Sequence, residues 1–532
     1  MELDEVLDKV GRFGKFQVIN YTLIGITILL SSVYSLSYIF TAGDLEYRCF
    51  IPECEDLKTT SFNPEWLKNA VPFEDGPSRC LRYSFSNISF TNGNSCSAET
   101  FDKERQIGCH SWVYNGEEST IVNEWDITCD ENQWKITLVG TVNNIGQFIG
   151  YPVAGYFSDR WGRKTALVAC TVLAGLMGLA RSLAWSYESF LVFEFLDPVV
   201  GSGIYTSGFT LSLELVNGKG RVLGGTLIPV FYAVGEVILG GVTWWLENWR
   251  YMLRIFYAPA LLCISFHWLV PESVRWLITK GKKKEAKEII LKVAKTNKID
   301  LSEEFLTKFE MTSLLEGKSS DSEKKSKTVK EVLCQVIHSK ILLLRVLSCS
   351  FCWTTITFVF FGLSLTSVSV GENKYTSFIL AALIELPAYV VVYLTMDRYG
   401  RKFTHSSSLI LSGISCISFA FIPIDLDWLR MIAFLTGKFA ITIAFTVVYV
   451  YTAELFPTEL RQSLLGVCAM FGRIGSIIAP QTPLLERYLE SLPLLLLVEC
   501  LYSLVFCLLH LPETLNLELP DTVEEAEAIG KS

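Results

Sequence analysis

The chain has 532 residues, half of them hydrophobic and only 19% charged, with a formal net charge of −9. Its mean hydropathy is +0.35. A soluble domain carries about 25% charged residues, so the string of soluble domains that the length would allow is excluded by composition.

Apolar stretches of about twenty residues recur along the chain, each able to cross about 30 Å of hydrocarbon. Twelve spans are expected: 16–40, 134–157, 165–184, 190–213, 222–245, 251–270, 340–364, 375–396, 404–423, 428–451, 463–485 and 491–511. The N-terminal segment mixes acids and bases, and no cleavable leader is expected before the first span. Lys9, Arg12 and Lys15 precede that span, which puts the N-terminus in the cytoplasm. Twelve spans return the C-terminus to the same side. The short loops holding Arg160, Arg163 and Lys164, and Arg398, Arg401 and Lys402, fall on that side too.

Residues 41–132, between spans one and two, hold 17 acidic and 7 basic residues, a net charge of −10. The segment also holds six cysteines: Cys49, Cys54, Cys80, Cys96, Cys109 and Cys129. An even cluster in an outward loop reads as a disulfide framework, with its pairing left open. Zinc is disfavoured, because there is no CxxC and His110 is the segment's one histidine. No metal site is expected. Asn87-Ile88-Ser89 is a glycosylation sequon.

Residues 271–339 hold 15 basic and 11 acidic residues, net +4. "KGKKKEAKEIILKVAKTNK" reads as a basic amphipathic helix on the cytoplasmic membrane surface. "EGKSSDSEKKSK" reads as a linker. This divides the chain into a six-span half, 1–270, a basic cytoplasmic segment, 271–339, a second six-span half, 340–511, and a loosely ordered acidic tail, 512–532.

An internal repeat supports the division. "GYFSDRWGRK" follows span two and "MDRYGRK" follows span eight. The glycine permits a tight turn between antiparallel helices, and the arginines can pair with carboxylates on neighbouring spans. Asp159, Arg160, Arg163, Lys164, Asp397, Arg398 and Arg401 are therefore candidates for a latch that holds helices in one state and releases them in another. Candidate partners at the same ends of spans are Glu214, Arg221, Glu272, Arg275, Glu454, Arg461 and Glu513. A single copy of the motif would read as a topology signal only. Two copies at equivalent positions are more specific.

Charged residues inside spans are costly and mark functional sites. Glu236, Glu385, Lys438 and Arg473 lie well inside, as do Glu194, Asp197 and Glu499 at less certain depth. In span eleven Gly466, Ala469, Arg473, Ser476 and Pro480 share one helical face, opposite Val467, Phe471, Ile474 and Ile478. Span ten aligns Lys438, Thr442, Phe445 and Tyr449. Span eight aligns Ala381, Glu385 and Tyr389. Tyr232 precedes Glu236 by one turn, and Trp353, Thr357, Phe360 and Ser364 line span seven. Two accounts of Lys438 and Glu385 stay open: they neutralise each other in the bundle, or they meet a substrate. Aromatics at helical spacing are usually packing.

The sequence resembles the major facilitator superfamily. More narrowly, it resembles solute carrier family twenty-two, the organic cation, carnitine and organic anion transporters. The resemblance rests on the six-cysteine loop, "GYFSDRWGRK", "PESVRWLITKGK", "ELPAY", "GKFAITIAFTVVYVYTAELFPTELR" and "LPET" with "ELPDTVEEAE". "LPETLNLEL" departs from the lysine-glycine often found after this Pro-Glu-Thr. The resemblance implies an all-α membrane fold of twelve helices in two six-helix bundles, with a disulfide-bonded extracellular loop. It also implies that span seven borders a central cavity, which brings in Trp353 and Phe360. Cation-preferring members often carry aspartate at the place of Arg473, whereas anion and carnitine transporters carry arginine. "ELPAY" with Tyr389 resembles the carnitine type.

The expected protein is thus a polyspecific plasma-membrane transporter of small organic ions, leaning to zwitterions or anions. Arg473, Lys438, Glu385, Glu236, Tyr232, Trp353, Phe360 and Tyr389 are its candidate substrate residues. The alternatives are an organic cation transporter of the same family, or a non-transporting, receptor-like carrier using the disulfide loop. An enzyme is not expected, since no HExxH, GxSxG or P-loop occurs. Partners are the substrate and the bilayer, with no nucleic acid. No cofactor is expected beyond a possible coupling ion, sodium or proton.

Overall fold

The computed structural model describes residues 14–299 and 339–529, apart from 57–59, 74–75, 86–95, 217–218, 372, 424, 458–460, 486–497, 499, 502–503, 506–510, 516, 518–519 and 521–522. Long helices follow one another: α1 (Lys15–Leu36), α2 (Gln133–Trp161), α3 (Arg163–Arg181), α4 (Tyr187–Glu214), α5 (Lys219–Leu246) and α6 (Trp249–Leu262). After the shorter α7 (Lys283–Asn297) come α8 (Lys340–Thr366), α9 (Lys374–Leu383), α10 (Glu385–Tyr399), α11 (Arg401–Phe421), α12 (Asp427–Leu455) and α13 (Arg461–Ile478). Eleven of the twelve expected spans are thus present, with α9 and α10 sharing one. The span at 491–511 falls almost wholly outside the described residues, and so does the Asn87 sequon.

Nine of the described helical segments are long and apolar enough to cross a membrane. The helices α2 and α4 are just as long, 29 and 28 residues, but α2 carries the polar Asn143, Asn144 and Gln147 inside it and α4 the charged Glu194 and Asp197. Short polar residues cap several starts, where side chains satisfy the first free amides. The Ser186 hydroxyl accepts from the Ser189 amide at 3.2 Å, and the Asn248 carbonyl from Arg250 and Tyr251 at 3.0 and 3.2 Å. Asn373 repeats this for Tyr375 and Thr376. Pro387 in the first turn of α10 has no amide to offer the carbonyl of Leu383, and the helix breaks between α9 and α10.

In the first half α4 packs against α2 and α3, α1 against α5, and α6 against α3. In the second, α8 packs against α13 and α12, while α12 packs against α10 and α11. The halves meet through α2 with α13 and α5 with α9. Close approach depends on glycine. A Cβ on Gly203 would lie 2.3 Å from the Cys170 sulfur, and one on Gly475 would lie 2.1 Å from the Thr354 carbonyl oxygen. Small residues serve this purpose where lipid supplies no hydrophobic drive between helices.

The cysteine-rich segment is a separate module. Strands β1 (Tyr47–Cys49) and β4 (Trp112–Tyr114) pair antiparallel, as do β2 (Leu81–Phe85) and β3 (Phe101–Gly108). Three disulfides, Cys49–Cys109, Cys54–Cys96 and Cys80–Cys129, tie them together. Arg48 is fully buried there and forms a fork with Glu55 at 2.7 Å. The module occupies one end of the helical body, called here the disulfide face. The two Asp-Arg-x-Gly-Arg-Lys turns lie at the other end, the basic face.

Two segments on the basic face differ from the sequence reading. The apolar side of α7, with Ala286, Ile290, Val293 and Ala294, is turned to protein rather than to lipid. Asn297 accepts from the Phe16 amide at 2.9 Å and donates to Gln17 at 3.1 Å, fixing α7 to the start of α1. Helical spacing reveals an apolar side but not what covers it. The acidic tail, expected to be loose, forms a short helix, Val523–Ala528. Arg345 donates to the carbonyls of Ala526 and Ile529. That satisfies helix-end acceptors that would otherwise need water.

Candidate functional site

Lys438 on α12 and Glu385 at the start of α10 form an ion pair at 2.9 Å, with side chains 1% and 0% exposed. The Lys438 ammonium also donates to the Ser364 hydroxyl at 2.7 Å, and it stands 3.5 Å from the Phe360 ring centroid. Phe360 stacks on Phe445 at 4.9 Å. Tyr389, one turn beyond Glu385, donates to its other oxygen at 3.1 Å. Of the two accounts left open by the sequence, the structure supports mutual neutralisation.

Arg473 is held differently. Its guanidinium lies over the Tyr151 ring, 4.2 Å from the centroid, and donates to the Gln147 side-chain oxygen at 3.3 Å. Among the described residues no carboxylate lies within ion-pair reach of it. The helix that carries it behaves as its pattern predicts. Phe471, Ile474 and Ile478 are exposed on the lipid side, while Gly472 and Gly475 pack against α8. Arg473 therefore points between the halves, with α2 opposite.

Glu236 on α5 is 3% exposed, and its Oε1 has no hydrogen-bond partner among the described residues. Glu385 and Lys438 lie within its electrostatic range. Tyr232 lies in range of Glu236 and Tyr151, and it meets Tyr205 edge-on at 5.8 Å. Trp353 is 2% exposed, donates to the Thr452 hydroxyl at 3.0 Å and backs Tyr449 at 4.3 Å. It props the wall from behind, with Tyr449 on the inner surface. The candidates thus gather around the line where the halves meet. Gln147, Tyr151 and Tyr205 belong to the same region and were not anticipated; neutral side chains carry no cost signal in a sequence.

The two basic turns are near copies. Gly162 and Gly400 adopt φ of +106° and +91°, a region open essentially to glycine. After the first, the Lys164 amide donates to Glu272 at 3.0 Å. After the second, the Arg401 and Lys402 amides donate to Glu513 at 2.9 and 3.0 Å. Each carboxylate thereby caps a helix N-terminus, where the dipole favours it. Arg163 pairs with Asp159 at 2.8 Å and approaches Glu214 at 3.5 Å. Arg401 pairs with Asp397 at 3.3 Å and Glu454 at 3.1 Å. Arg160 instead donates to Tyr156 at 2.9 Å, and Arg398 is exposed. Arg275 and Arg461 are half-buried nearby. The Arg221 side chain lies outside the described ones.

A further charged cluster lies inside the first half. Arg181 pairs with Glu194 at 2.5 Å and with Asp197 at 3.5 Å, all three fully buried. Arg181 ends its helix, where a basic residue reads as interfacial, so its inward turn is invisible in the pattern.

The family model described as the major facilitator superfamily matches residues 116–480. The mouse protein solute carrier family 22 member 21 is 31% identical, with 100% of this chain and 94% of that relative covered. Organic cation/carnitine transporter 2 of Rattus norvegicus is 30% identical over 98% of this chain and 94% of its own length. In fold, the inward-open xylose transporter XylE of E. coli aligns with a TM-score of 0.61 at 14% identity, covering 96% of this chain and 98% of that one. Paired helical halves in a multi-pass membrane chain, aligned end to end with such carriers, make this a transporter rather than an enzyme: it belongs to the major facilitator superfamily and, within it, to solute carrier family 22.

Proposed function

We propose that the chain is a plasma-membrane carrier of small organic ions. It works by alternating access and prefers carnitine-like zwitterions or organic anions. The observation that carries this reading is Arg473, a half-buried guanidinium between the halves with aromatic and amide neighbours but no carboxylate among the described residues. A guanidinium offers a planar fork for a carboxylate. Lys438 does not compete for that role, being occupied by Glu385. Glu236 and the aromatic walls suit an amine or quaternary head. The disulfide face is extracellular and both termini are cytoplasmic in this reading, in line with the basic loops. The two turns act as latches that hold helices within each half while the halves rock.

A second reading, an organic cation carrier, is favoured by Glu236, whose Oε1 is unpartnered. Uptake of labelled carnitine, an aromatic monocarboxylate and a tetraalkylammonium ion in cells expressing the chain separates the two. Saturable uptake of the carboxylates is expected. Saturable flux of the tetraalkylammonium alone establishes the second reading, and absence of saturable flux for all three overturns the carrier reading.

A further inference from the structure

The Arg181 cluster holds two carboxylates against one guanidinium, all three side chains 0% exposed. With both ionised it carries an excess negative charge in a low-dielectric interior, which is strongly disfavoured. The two carboxylates are not equivalent. Glu194 receives Arg181 at 2.5 Å on one oxygen and Asn143 at 2.7 Å on the other, and donors on both oxygens favour an anion. Asp197 receives Tyr257 on Oδ2, with Arg181 more distant at 3.5 Å. Its Oδ1 is buried and has no hydrogen-bond partner among the described residues.

The cluster also connects to the candidate substrate site. Arg473 donates to Gln147 at 3.3 Å, Gln147 to Asn143 at 2.9 Å, and Asn143 to Glu194 at 2.7 Å. Every donor in this chain points from Arg473 toward the cluster. The groups facing the cluster come from five helical segments: Ser37 and Tyr38 beside α1, Asn143 on α2, Arg181 on α3, Glu194 and Asp197 on α4, and Tyr257 on α6. Glu194 is the one other base there, and its two donors hold it as the anion.

We propose that Arg181, Glu194 and Asp197 form a proton-binding site in which Asp197 takes the proton, and that Asn143 and Gln147 link its occupancy to that of Arg473. The proton bonds to Oδ1, the atom without a partner, and converts the carboxylate to a carboxylic acid. The site then balances one guanidinium with one carboxylate. A carboxylate substrate arriving at Arg473 neutralises the nearby cation and draws its donor away from Gln147. Negative charge in the cluster is then held less well, and protonation is favoured. Linkage is reciprocal, so proton and carboxylate promote each other's binding. The resulting activity is symport of a proton with a carboxylate-bearing substrate.

The transport half of this inference rests on the carrier reading; the proton site does not. Infrared difference spectra of the purified protein, acid against neutral, are expected to show the carbonyl band of a protonated carboxyl. Asp197→Asn should remove it, Glu194→Gln should move its appearance to more acidic conditions because one carboxylate then balances one guanidinium, and Tyr257→Phe should shift it by removing a donor without changing charge. No such band, or one that survives in Asp197→Asn, overturns the proton site. In proteoliposomes an inward proton gradient should raise carnitine uptake several-fold in the wild type and leave Asp197→Asn unaffected. Saturable uptake indifferent to the gradient overturns the coupling. No uptake of any substrate, with the band present, sinks the carrier reading and the coupling but retains the proton site.

Discussion

Arg473 and Lys438 are both basic side chains inside the helical body, and their neighbours give them opposite tasks. Lys438 is neutralised by Glu385 at 2.9 Å, whereas Arg473 has a ring face and an amide oxygen. Arg473→Asp should therefore act on substrate choice. Losing one partner of a buried, hydrogen-bonded charge pair costs about 2 kcal/mol or more, at least about thirtyfold in affinity. Uptake efficiency for carboxylates, normalised to surface expression, should fall by that factor while cations are spared. An equal fall for both classes would assign Arg473 a structural task. Lys438→Met should act on the fold, because an uncompensated buried carboxylate costs about 3–5 kcal/mol. The thermal unfolding midpoint in detergent should drop for Lys438→Met. Adding Glu385→Gln should recover most of it, and a double variant as unstable as the single would contradict the pairing account.

At the scale of elements, the two basic turns depend on a glycine and a distant carboxylate. A Cβ on Gly162 would lie 2.2 Å from the Glu272 carboxylate, and one on Gly400 would lie 2.6 Å from that of Glu513. Gly162→Ala and Gly400→Ala each add backbone strain of about 1–3 kcal/mol and push the capping acid aside. Slower turnover with little change in half-saturation is expected, read from initial rates across substrate concentration. Wild-type turnover in both variants would remove the latch role. The turns were legible in the sequence because turn chemistry is local and appears twice. Their partners were named but could not be paired, since Glu272 lies 108 residues from Lys164 and Glu513 lies 112 from Arg401. The helical pattern of α13 likewise announced its lipid side. What escaped was whatever depends on tertiary orientation alone: Arg181 turning inward from a helix end, Gln147 and Tyr151 facing Arg473 across the halves, and α7 covering its apolar side with protein.

Across the whole molecule, every described hydrogen bond and ion pair between the halves lies at Gln147–Arg473 or nearer the disulfide face. Gln481 donates to the Thr141 hydroxyl at 2.6 Å, and Gly140 packs where a Cβ would meet Pro480 at 2.8 Å. Phe40 meets Phe378 edge-on at 4.8 Å. The described contacts of the basic turns stay within their own half. The structure is therefore closed at the disulfide face, and the cysteine-rich module takes part in that closure. Glu118, just after β4, pairs with Lys374 at the start of α9 at 2.5 Å, with the side chains 17% and 24% exposed. The neighbouring Ser119 bridges to Asn248, and Glu124 receives Trp249 at 2.8 Å, so the module is anchored to the first half. The pair thus ties that anchored module to the second half and must break when the face opens. A partly exposed pair contributes up to about 1 kcal/mol, worth about fivefold in a two-state population. With Tyr151→Cys as a reporter, Lys374→Glu should speed labelling by a membrane-impermeant thiol reagent applied from the disulfide face by about that factor. The swapped pair, Glu118→Lys with Lys374→Glu, should slow it again. Labelling that ignores both changes would mean that the module rides on the first half without holding the face closed.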